Sequence, residues 1–200
     1  MNKPRLQEKF EKEVMPVLAK EFDIKNSFAI PRVTKVTLNM GVGEAAKNKQ
    51  TMESLKKDLA AISGQFPSTR NAKVSIASFT LRAGMPVGLS VTLRGARMYS
   101  FLDRLFSIVL PRLRDFRGVP LKSFDKFGNY TLGFVEHTVF PEVDPGKAAP
   151  AHGMEVTIVN SAGEAKIAKR LLELMGCPFA KQDSAQGKLE KGKESSDYLS

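Results

Sequence analysis

The sequence predicts an α+β fold: helices cover one face of a mostly antiparallel sheet, a long loop projects from it, and the other face stays open. Apolar residues alternate with polar ones over residues 35–43, the apolar ones being Val36, Leu38, Met40 and Val42. A period of two residues is typical of a strand with one face in a core and the other in solvent. The intervening positions are Lys35, Thr37, Asn39, Gly41 and Gly43.

A second stretch repeats this pattern over residues 88–94. Its apolar side chains are Leu89, Val91 and Leu93, and the alternate positions are Gly88, Ser90, Thr92 and Arg94. If both strands lie in one sheet, their polar faces form a flat surface of hydrogen-bonding groups with room for a close backbone approach.

The first helix is predicted over residues 4–22, where apolar residues recur four apart. Pro16 should kink or divide this helix, because proline has no backbone N–H to donate. The first strand follows Pro31, and a second amphipathic helix is predicted from Lys49 to Ser63, with Gly64 as its stop.

A short strand is expected over residues 66–70, before a stretch of weak periodicity that contains the turn signal Gly84-Met85-Pro86. Residues 71–87 are therefore predicted to be a long loop that projects between two strands, and such loops are usually disordered or functional. An apolar stripe over residues 98–109 predicts the next helix, which Pro111 should end.

The C-terminal part predicts two further strands, over residues 130–134 and 154–159, separated by a loop rich in proline, glycine and alanine. A last helix is expected over residues 162–175. We expect residues 1–180 to form one domain and residues 181–200, which lack an apolar face, to be a disordered tail.

Composition limits the function classes. The 200-residue chain has one cysteine, Cys177, which excludes an internal disulfide and a multi-cysteine zinc site and, with no leader sequence, indicates a reducing cytoplasm. No apolar run reaches the roughly 20 residues of a membrane helix. Neither a membrane partner nor a small-molecule substrate is expected.

The net charge of +10 suggests a polyanionic partner. Residues 64–118 carry nine basic residues against Asp103 and Asp115, which is +7 of that total. Those basic residues are Arg70, Lys73, Arg82, Arg94, Arg97, Arg104, Arg112, Arg114 and Arg117. Most fall in predicted loops or at strand ends, so we favour nucleic-acid contact over an ordinary solvated surface.

No catalytic constellation is found, and no cofactor or metal is expected. The glycines of residues 41–46 match a loose dinucleotide fingerprint, but no acidic residue stands about 20 positions further on at a strand tip. His137 and His152 lack a metal-ligand spacing, so structural or exposed roles are expected. Cys177 is expected to be a buried thiol and Asp115 to orient Arg114 and Arg117.

The polar strand faces carry no aromatic ring, whereas sheets that read single-stranded RNA usually do. A folded RNA recognised by shape is therefore the expected partner. Phe116, among the arginines of residues 112–117, has two open roles, stacking on a base or anchoring its loop in the core.

Four motifs occur in unbroken order between residues 3 and 181 and together resemble the bacterial family of large-subunit ribosomal protein five. They are Val36-Thr37-Leu38-Asn39-Met40-Gly41-Val42-Gly43-Glu44, Val91-Thr92-Leu93-Arg94-Gly95, Pro111-Arg112-Leu113-Arg114-Asp115-Phe116-Arg117-Gly118 and Lys122-Ser123-Phe124-Asp125. The resemblance implies a non-enzymatic protein of the cytoplasmic large subunit that binds 5S rRNA in the central protuberance, beside large-subunit protein eighteen. It also implies contact with the P-site tRNA and a bridge to small-subunit protein thirteen, and 23S rRNA is a further candidate partner.

The strand pattern and the resemblance together assign three groups of residues. The 5S rRNA-binding positions are Lys35, Thr37, Asn39, Met40, Gly41, Val42, Gly43, Ser90, Thr92 and Arg94. The tRNA-binding loop is assigned Arg70, Asn71, Lys73, Ser75, Ser78 and Arg82. The bridge or rRNA-contacting loop is assigned Arg112, Arg114, Asp115, Phe116 and Arg117.

The sequence departs from the family at Val74 and Thr80, where lysine or arginine is common, and in the tail after Lys181. Two alternatives to a ribosomal component stay open here. One is a free RNA-binding regulator of translation, which composition alone does not distinguish. The other is a nucleotide-dependent enzyme, which rests only on residues 41–46.

Overall fold

A computed structural model describes residues 3–43, 48–114, 116–144, 146 and 150–180. Its five strands form one sheet in the order β2-β3-β1-β5-β4, and each neighbouring pair is antiparallel. The strands are β1 Val33–Gly41, β2 Ser68–Asn71, β3 Pro86–Leu93, β4 Tyr130–Phe134 and β5 Met154–Asn160. The predicted α+β class is confirmed.

Two of the four longer helical segments are regular, namely α2 Lys49–Ser63 and α4 Ala165–Met175. Two contain a π-helical turn. Helix α1 consists of Arg5–Lys9, the π-helical turn Phe10–Val14 and then Met15–Glu21. Helix α3 consists of Gly95–Arg104, the π-helical turn Leu105–Val109 and then Leu110–Arg112. The bounds of α2 are those predicted, whereas α4 begins three residues later than expected.

The prolines of α1 and α3 lie inside their helices, and Pro111 stands one residue before Arg112, the last residue of α3, so the prediction that it ends its helix is confirmed to within one residue. A proline ring normally clashes with the carbonyl four residues earlier. Those carbonyls belong to Lys12 and Ser107, and both residues lie in a π-helical turn. A π-helical turn is wider than an α-helical one, so the carbonyl is displaced and the helix can include the proline.

The core lies between the sheet and the helical layer. The apolar residues of β1 and β3 are almost fully buried, and Leu38, Met40, Leu89 and Leu93 are each 0% exposed. Helix α2 contacts β3, and α3 contacts β1, α1 and α2. The helices therefore cover the face formed by the alternating apolar positions of the sequence.

Register places the polar residues of β1 and β3 on the opposite face. Thr37 pairs with Thr92, Asn39 with Ser90 and Gly41 with Gly88. Antiparallel partners point to the same side of a sheet, so the two polar strand faces form one surface, as the sequence predicted. The tail, residues 181–200, lies outside the described residues, and the single domain over residues 1–180 stays a prediction.

The turn before β4 gives a stability test. Gly128 and Gly163 both have a left-handed φ, of +82° and +74°. A Cβ on Gly128 would lie 2.8 Å from both the Ala168 Cβ and the Glu164 carbonyl oxygen, whereas a Cβ on Gly163 would meet nothing within 4 Å. We expect Gly163→Ala to lower the free energy of unfolding by about 1–2 kcal/mol through backbone strain alone.

Gly128→Ala should cost a further ~1–3 kcal/mol because the helix start must also move. Urea unfolding followed by circular dichroism measures both variants, with Gly163→Ala as the matched control. Equal losses in the two variants would show that the contact between this turn and α4 is not tight.

Candidate nucleic-acid interface

The polar side chains of the sheet line up in rows across the strands, on a surface that we name the open face. One row crosses four strands as Thr131, Thr157, Thr37 and Thr92. The next consists of Gly133, Glu155, Asn39, Ser90 and Ser68. A third, shorter row is Gly41, Gly88 and Arg70. The centre of this face therefore offers hydroxyl groups, an amide and uncovered backbone.

Exposure differs along the open face. Asn39 and Gly41 are exposed, Thr37 and Thr92 are half-buried, and Ser90 is only 8% exposed between its neighbours Asn39 and Ser68. Ser90 thus presents less of its hydroxyl to a partner than the sequence suggested.

Two residues assigned to the 5S rRNA surface point the other way. Met40 is 0% and Val42 is 1% exposed, and both side chains lie in the core. Their assignment is therefore wrong as far as side chains are concerned, because a residue on the apolar side of β1 cannot face a partner on the open face. Only their backbone groups remain available there, and the Val42 N–H already donates to the Val87 carbonyl at 3.1 Å.

Gly41 is not required by the packing of its own chain. A Cβ built on it meets nothing within 4 Å, and its φ is not in the left-handed region. Its strand neighbour Gly88 differs, since a Cβ there would lie 3.2 Å from the Met40 carbonyl oxygen. Glycine weakens a strand and often marks the place where another molecule approaches the backbone closely. Gly41 therefore leaves the backbone of β1 open to a close approach.

The charges of the open face lie at its margins. Arg94 is the exposed residue immediately after β3, Arg70 lies on β2, and Lys35 is half-buried at the start of β1. The exposed Glu155 stands beside Asn39 on β5. A phosphate backbone is attracted to the cations and repelled by the carboxylate, so the half formed by β1, β2 and β3 is the favourable one.

The connection between β2 and β3 extends their ladder as an ordered hairpin, which we name the β2–β3 loop, residues 72–85. The Ala72 N–H donates to the Met85 carbonyl at 2.8 Å, and the Gly84 N–H donates to the Ala72 carbonyl at 2.9 Å. A bridge between Ile76 and Leu81 closes the tip around the 3-10 turn Ala77–Phe79.

Most residues assigned to tRNA binding are exposed on or next to this loop, namely Arg70, Asn71, Lys73, Ser78 and Arg82. Ser75 is different, because its hydroxyl accepts the Ala83 N–H at 2.9 Å and so stabilises the loop. Sequence reasoning missed the apolar tip, where Val74 is 68% and Phe79 is 75% exposed. The signal available was that large apolar residues recur in a stretch expected to be a projecting loop.

The segment of residues 112–117 keeps its arginines at the surface, since Arg112, Arg114 and Arg117 are exposed. Asp115, predicted to orient them, lies outside the described residues. Phe116 is half-buried and packs against the core, which supports the anchoring role over base stacking.

Arg104 does not contribute a free surface charge. It forms an ion pair with Glu142 and donates to the Ile62 carbonyl at 3.1 Å. The basic block seen in the sequence is therefore weaker at the surface than its composition implied.

The residues considered for catalysis are structural. The His137 ring is 0% exposed; its Nδ1 accepts the His152 backbone N–H at 3.2 Å, and its Nε2 lies 3.4 Å from the Asp58 Oδ2. Over the described ranges, no group of three potential metal ligands is found. Of the loose dinucleotide match, Glu44 to Ala46 lie outside the described residues, and no described helix is long and apolar enough to span a membrane.

A sheet covered by helices on one face carries on its other face a flat hydrogen-bonding surface with cations at its margins and a projecting loop. These features are suited to docking on structured nucleic acid. Comparison with known proteins identifies the family. The family model described as "Ribosomal protein L5" matches residues 26–82, and the model that describes the C-terminus of the same ribosomal protein family matches residues 86–179.

Curated relatives carry the name "Large ribosomal subunit protein uL5". The protein of Acidobacterium capsulatum is 54% identical over 175 residues, which are 88% of this chain and 96% of the relative. That of a Thermoanaerobacter species is 52% identical over 177 residues, 88% and 99% of the two chains. That of Chloroflexus aurantiacus is 53% identical over 175 residues, 88% and 97% of the two chains.

The chain therefore belongs to the uL5 family of large-subunit ribosomal proteins. It is an rRNA-binding, non-enzymatic component of the cytoplasmic ribosome and acts in translation. The prediction of the family is confirmed, and the alternative of a nucleotide-dependent enzyme is excluded.

The buried thiol can be tested directly. Cys177 is 5% exposed, and burial, followed by the nearby Glu173, raises the pKa of its thiol to about 12. Only the thiolate form of cysteine reacts with iodoacetamide, and the raised pKa keeps Cys177 protonated. We therefore expect negligible alkylation at pH 8 in the folded protein. Alkylation should become rapid in denaturant, where the thiol returns to its ordinary pKa. Mass spectrometry before and after unfolding measures this, and fast labelling of the native protein would contradict it.

Proposed function

We propose that this chain binds 5S rRNA through the half of the open face formed by β1, β2 and β3, and so helps to anchor that RNA in the central protuberance. The observation that carries the proposal is Gly41, a strand glycine beside the exposed Asn39 that faces open space and serves no packing need of its own. Its absent side chain leaves the strand backbone accessible to a flat, rigid partner.

The neighbouring groups suit RNA chemistry. Thr37 and Thr92 carry hydroxyls, and Asn39 both donates and accepts, so sugar 2′-hydroxyls and phosphate oxygens can be matched directly. Arg94 at the margin can form two parallel hydrogen bonds to a phosphate or to a guanine edge. None of the described residues in these rows is aromatic, which favours a folded RNA recognised by shape over stacked single-stranded bases.

The remaining contacts complete the proposal. The β2–β3 loop contacts the P-site tRNA, with Lys73 and Arg82 supplying charge. Arg112, Arg114 and Arg117 contact rRNA or form the bridge to small-subunit protein thirteen. Large-subunit protein eighteen lies beside the chain on 5S rRNA, and 23S rRNA is a further contact. Family membership and the exposure of these arginines support this assignment.

A pair of glycine substitutions tests the open face. Gly41→Ala should leave the thermal unfolding midpoint unchanged or slightly higher, because a Cβ there meets open space and alanine suits a strand better than glycine. The same methyl group should weaken binding to a 5S rRNA transcript about tenfold or more by holding the RNA off the strand. Filter binding at constant salt measures the affinity.

Gly133→Ala is the matched control, since Gly133 lies on the same face with equally open space but on β4, beyond Glu155. It should bind 5S rRNA like the wild type.

Asn39→Ala and Arg94→Ala should also lose affinity for 5S rRNA. Lys20→Ala, which removes an exposed charge on α1, should not. If six to eight phosphates are neutralised, wild-type affinity should fall about a thousandfold or more between about 50 and 200 mM salt. Wild-type affinity in Gly41→Ala, Asn39→Ala and Arg94→Ala together would remove the proposed surface.

The role of the β2–β3 loop can be tested separately from that of the open face. Residues 73–84 can be replaced by the short turn Asn-Gly, because the hydrogen bond from the Ala72 N–H to the Met85 carbonyl brings the two ends of the loop together. We expect the shortened protein to retain 5S rRNA affinity and to weaken P-site tRNA binding in reconstituted ribosomes.

The double variant Lys73→Ala, Arg82→Ala keeps the loop and removes its charge, so it tells an electrostatic contact from a steric one. Toeprinting and tRNA filter binding measure the effect. A loss of 5S rRNA affinity in the shortened protein would show that the roles of loop and face are not separate.

A further inference from the structure

A cleft of about 570 Å³ opens at the end of the sheet, next to Arg94. Helix α1, the 3-10 turn Ser27–Ala29, the start of β1 and the first turn of α3 form its walls. Its volume lies within the roughly 300–1,000 Å³ of typical small-molecule sites. None of the groups of residues assigned from the sequence includes this cleft, apart from Arg94.

Phe28 forms one wall of the cleft and is 89% exposed, the largest exposed fraction among the described large apolar side chains. The backbone of its turn is fixed, because the Asn26 Oδ1 accepts the Phe28 N–H at 3.0 Å and caps the turn. A single exposed apolar residue is ordinary on a protein surface. An aromatic ring presented on an ordered turn beside a polar cleft is, however, suited to stacking.

Tyr99 lines the inside of the same cleft and is only 8% exposed. Its hydroxyl forms no hydrogen bond with any other residue in the part of the chain that the structure describes. The Tyr99 oxygen reaches solvent, because it is not among the fully buried side-chain polar atoms that lack a partner. Burial raises the pKa of the Tyr99 hydroxyl above its ordinary value. The charge of Arg32 lowers this pKa and that of Glu11 raises it, so both charges act on the hydroxyl.

The charges around the cleft favour an anion. Arg32 and Arg94 both line it with exposed side chains. The single carboxylate of the lining, Glu11, is already engaged by Lys3 at 2.7 Å and by the Gln7 amide at 3.2 Å. A stacking ring, an unused hydroxyl and two guanidinium groups together match the base, the base edge and the phosphates of a nucleotide.

We propose that this cleft holds one unstacked nucleotide of the RNA that lies on the open face. Its base stacks on Phe28, its edge faces the Tyr99 hydroxyl, and its flanking phosphates lie near Arg32 and Arg94. Arg94 is common to the cleft and the open face, which makes the two surfaces continuous. The inference rests on the proposed RNA-binding function but adds a contact to a base, whereas the open face meets sugar and phosphate.

The chain has no tryptophan, so Phe28→Trp creates a unique fluorescent probe at the stacking position. On titration with a 5S rRNA transcript, we expect strong quenching of its emission, because a stacked base deactivates the indole. Phe127→Trp is the matched control, since Phe127 is 70% exposed on the turn before β4, outside the lining of the cleft. Its emission should change little. Unchanged emission of the Phe28→Trp variant at saturating RNA overturns the proposal.

Affinity gives the second readout. Phe28→Ala should weaken 5S rRNA binding about five- to a hundredfold, the range found for a stacked base, while Phe127→Ala binds like the wild type. Tyr99→Phe, which removes only the hydroxyl, should weaken it about two- to tenfold. The exposure of Phe28 means that its truncation should not alter the thermal midpoint, so a binding loss is not explained by unfolding.

The two proposals fail separately. If Gly41→Ala and Asn39→Ala lose affinity but Phe28→Ala does not, the cleft is not a nucleotide site and the open face stands. If Phe28→Ala loses affinity and quenching is seen while the open-face variants bind normally, the cleft stands and the face proposal falls. Wild-type affinity in all of these variants overturns both.

Discussion

The antiparallel pairing of β1 with β3 decides what this molecule presents to its surroundings. Thr37 with Thr92 and Asn39 with Ser90 are direct partners, so their side chains must share one face, while Leu38 and Val91 share the other. A shift of one residue in this register would place the amide and hydroxyl groups under the helices and the aliphatic groups in solvent. Burial of the apolar set therefore holds the polar set in place, and the interface is a consequence of the core.

The helical layer keeps this arrangement one-sided. Helix α1 continues through Pro16, and α3 includes Pro111 in its last turn, because each helix has a π-helical turn at the carbonyl that the proline ring would meet. Continuous helices cover more of the apolar face than broken ones would. Some charged residues on this layer pair with one another, as Arg5 does with Asp103 and Arg170 with Glu21, at 2.6 Å in both cases. Such pairs neutralise part of the charge of the helical layer.

Sequence patterns predicted most of the fold, because the strands alternate cleanly and α2 begins at Lys49 and ends at Ser63 as its apolar spacing and Gly64 indicate. The end of α3 was predicted to within one residue, because Pro111 limits how far its helix can extend. Arg104 was counted with the free cations because its partner Glu142 lies far away in sequence. Phe28 was passed over for the same reason: only the tertiary fold brings Tyr99, Arg32 and Arg94 around it.

On the open face, different groups account for the attraction of RNA and for the recognition of its shape. The middle of the open face holds neutral groups, and the cations stand at its margins, so the attraction to phosphate acts around the contact and not within it. Glu155, beside Asn39, repels phosphate and limits the contact on the β5 side. An RNA drawn in by Arg70 and Arg94 must still fit a flat strip with no side chain at Gly41. Salt therefore weakens the binding of any RNA, whereas shape decides which RNA can settle close enough to reach the amide and the hydroxyls.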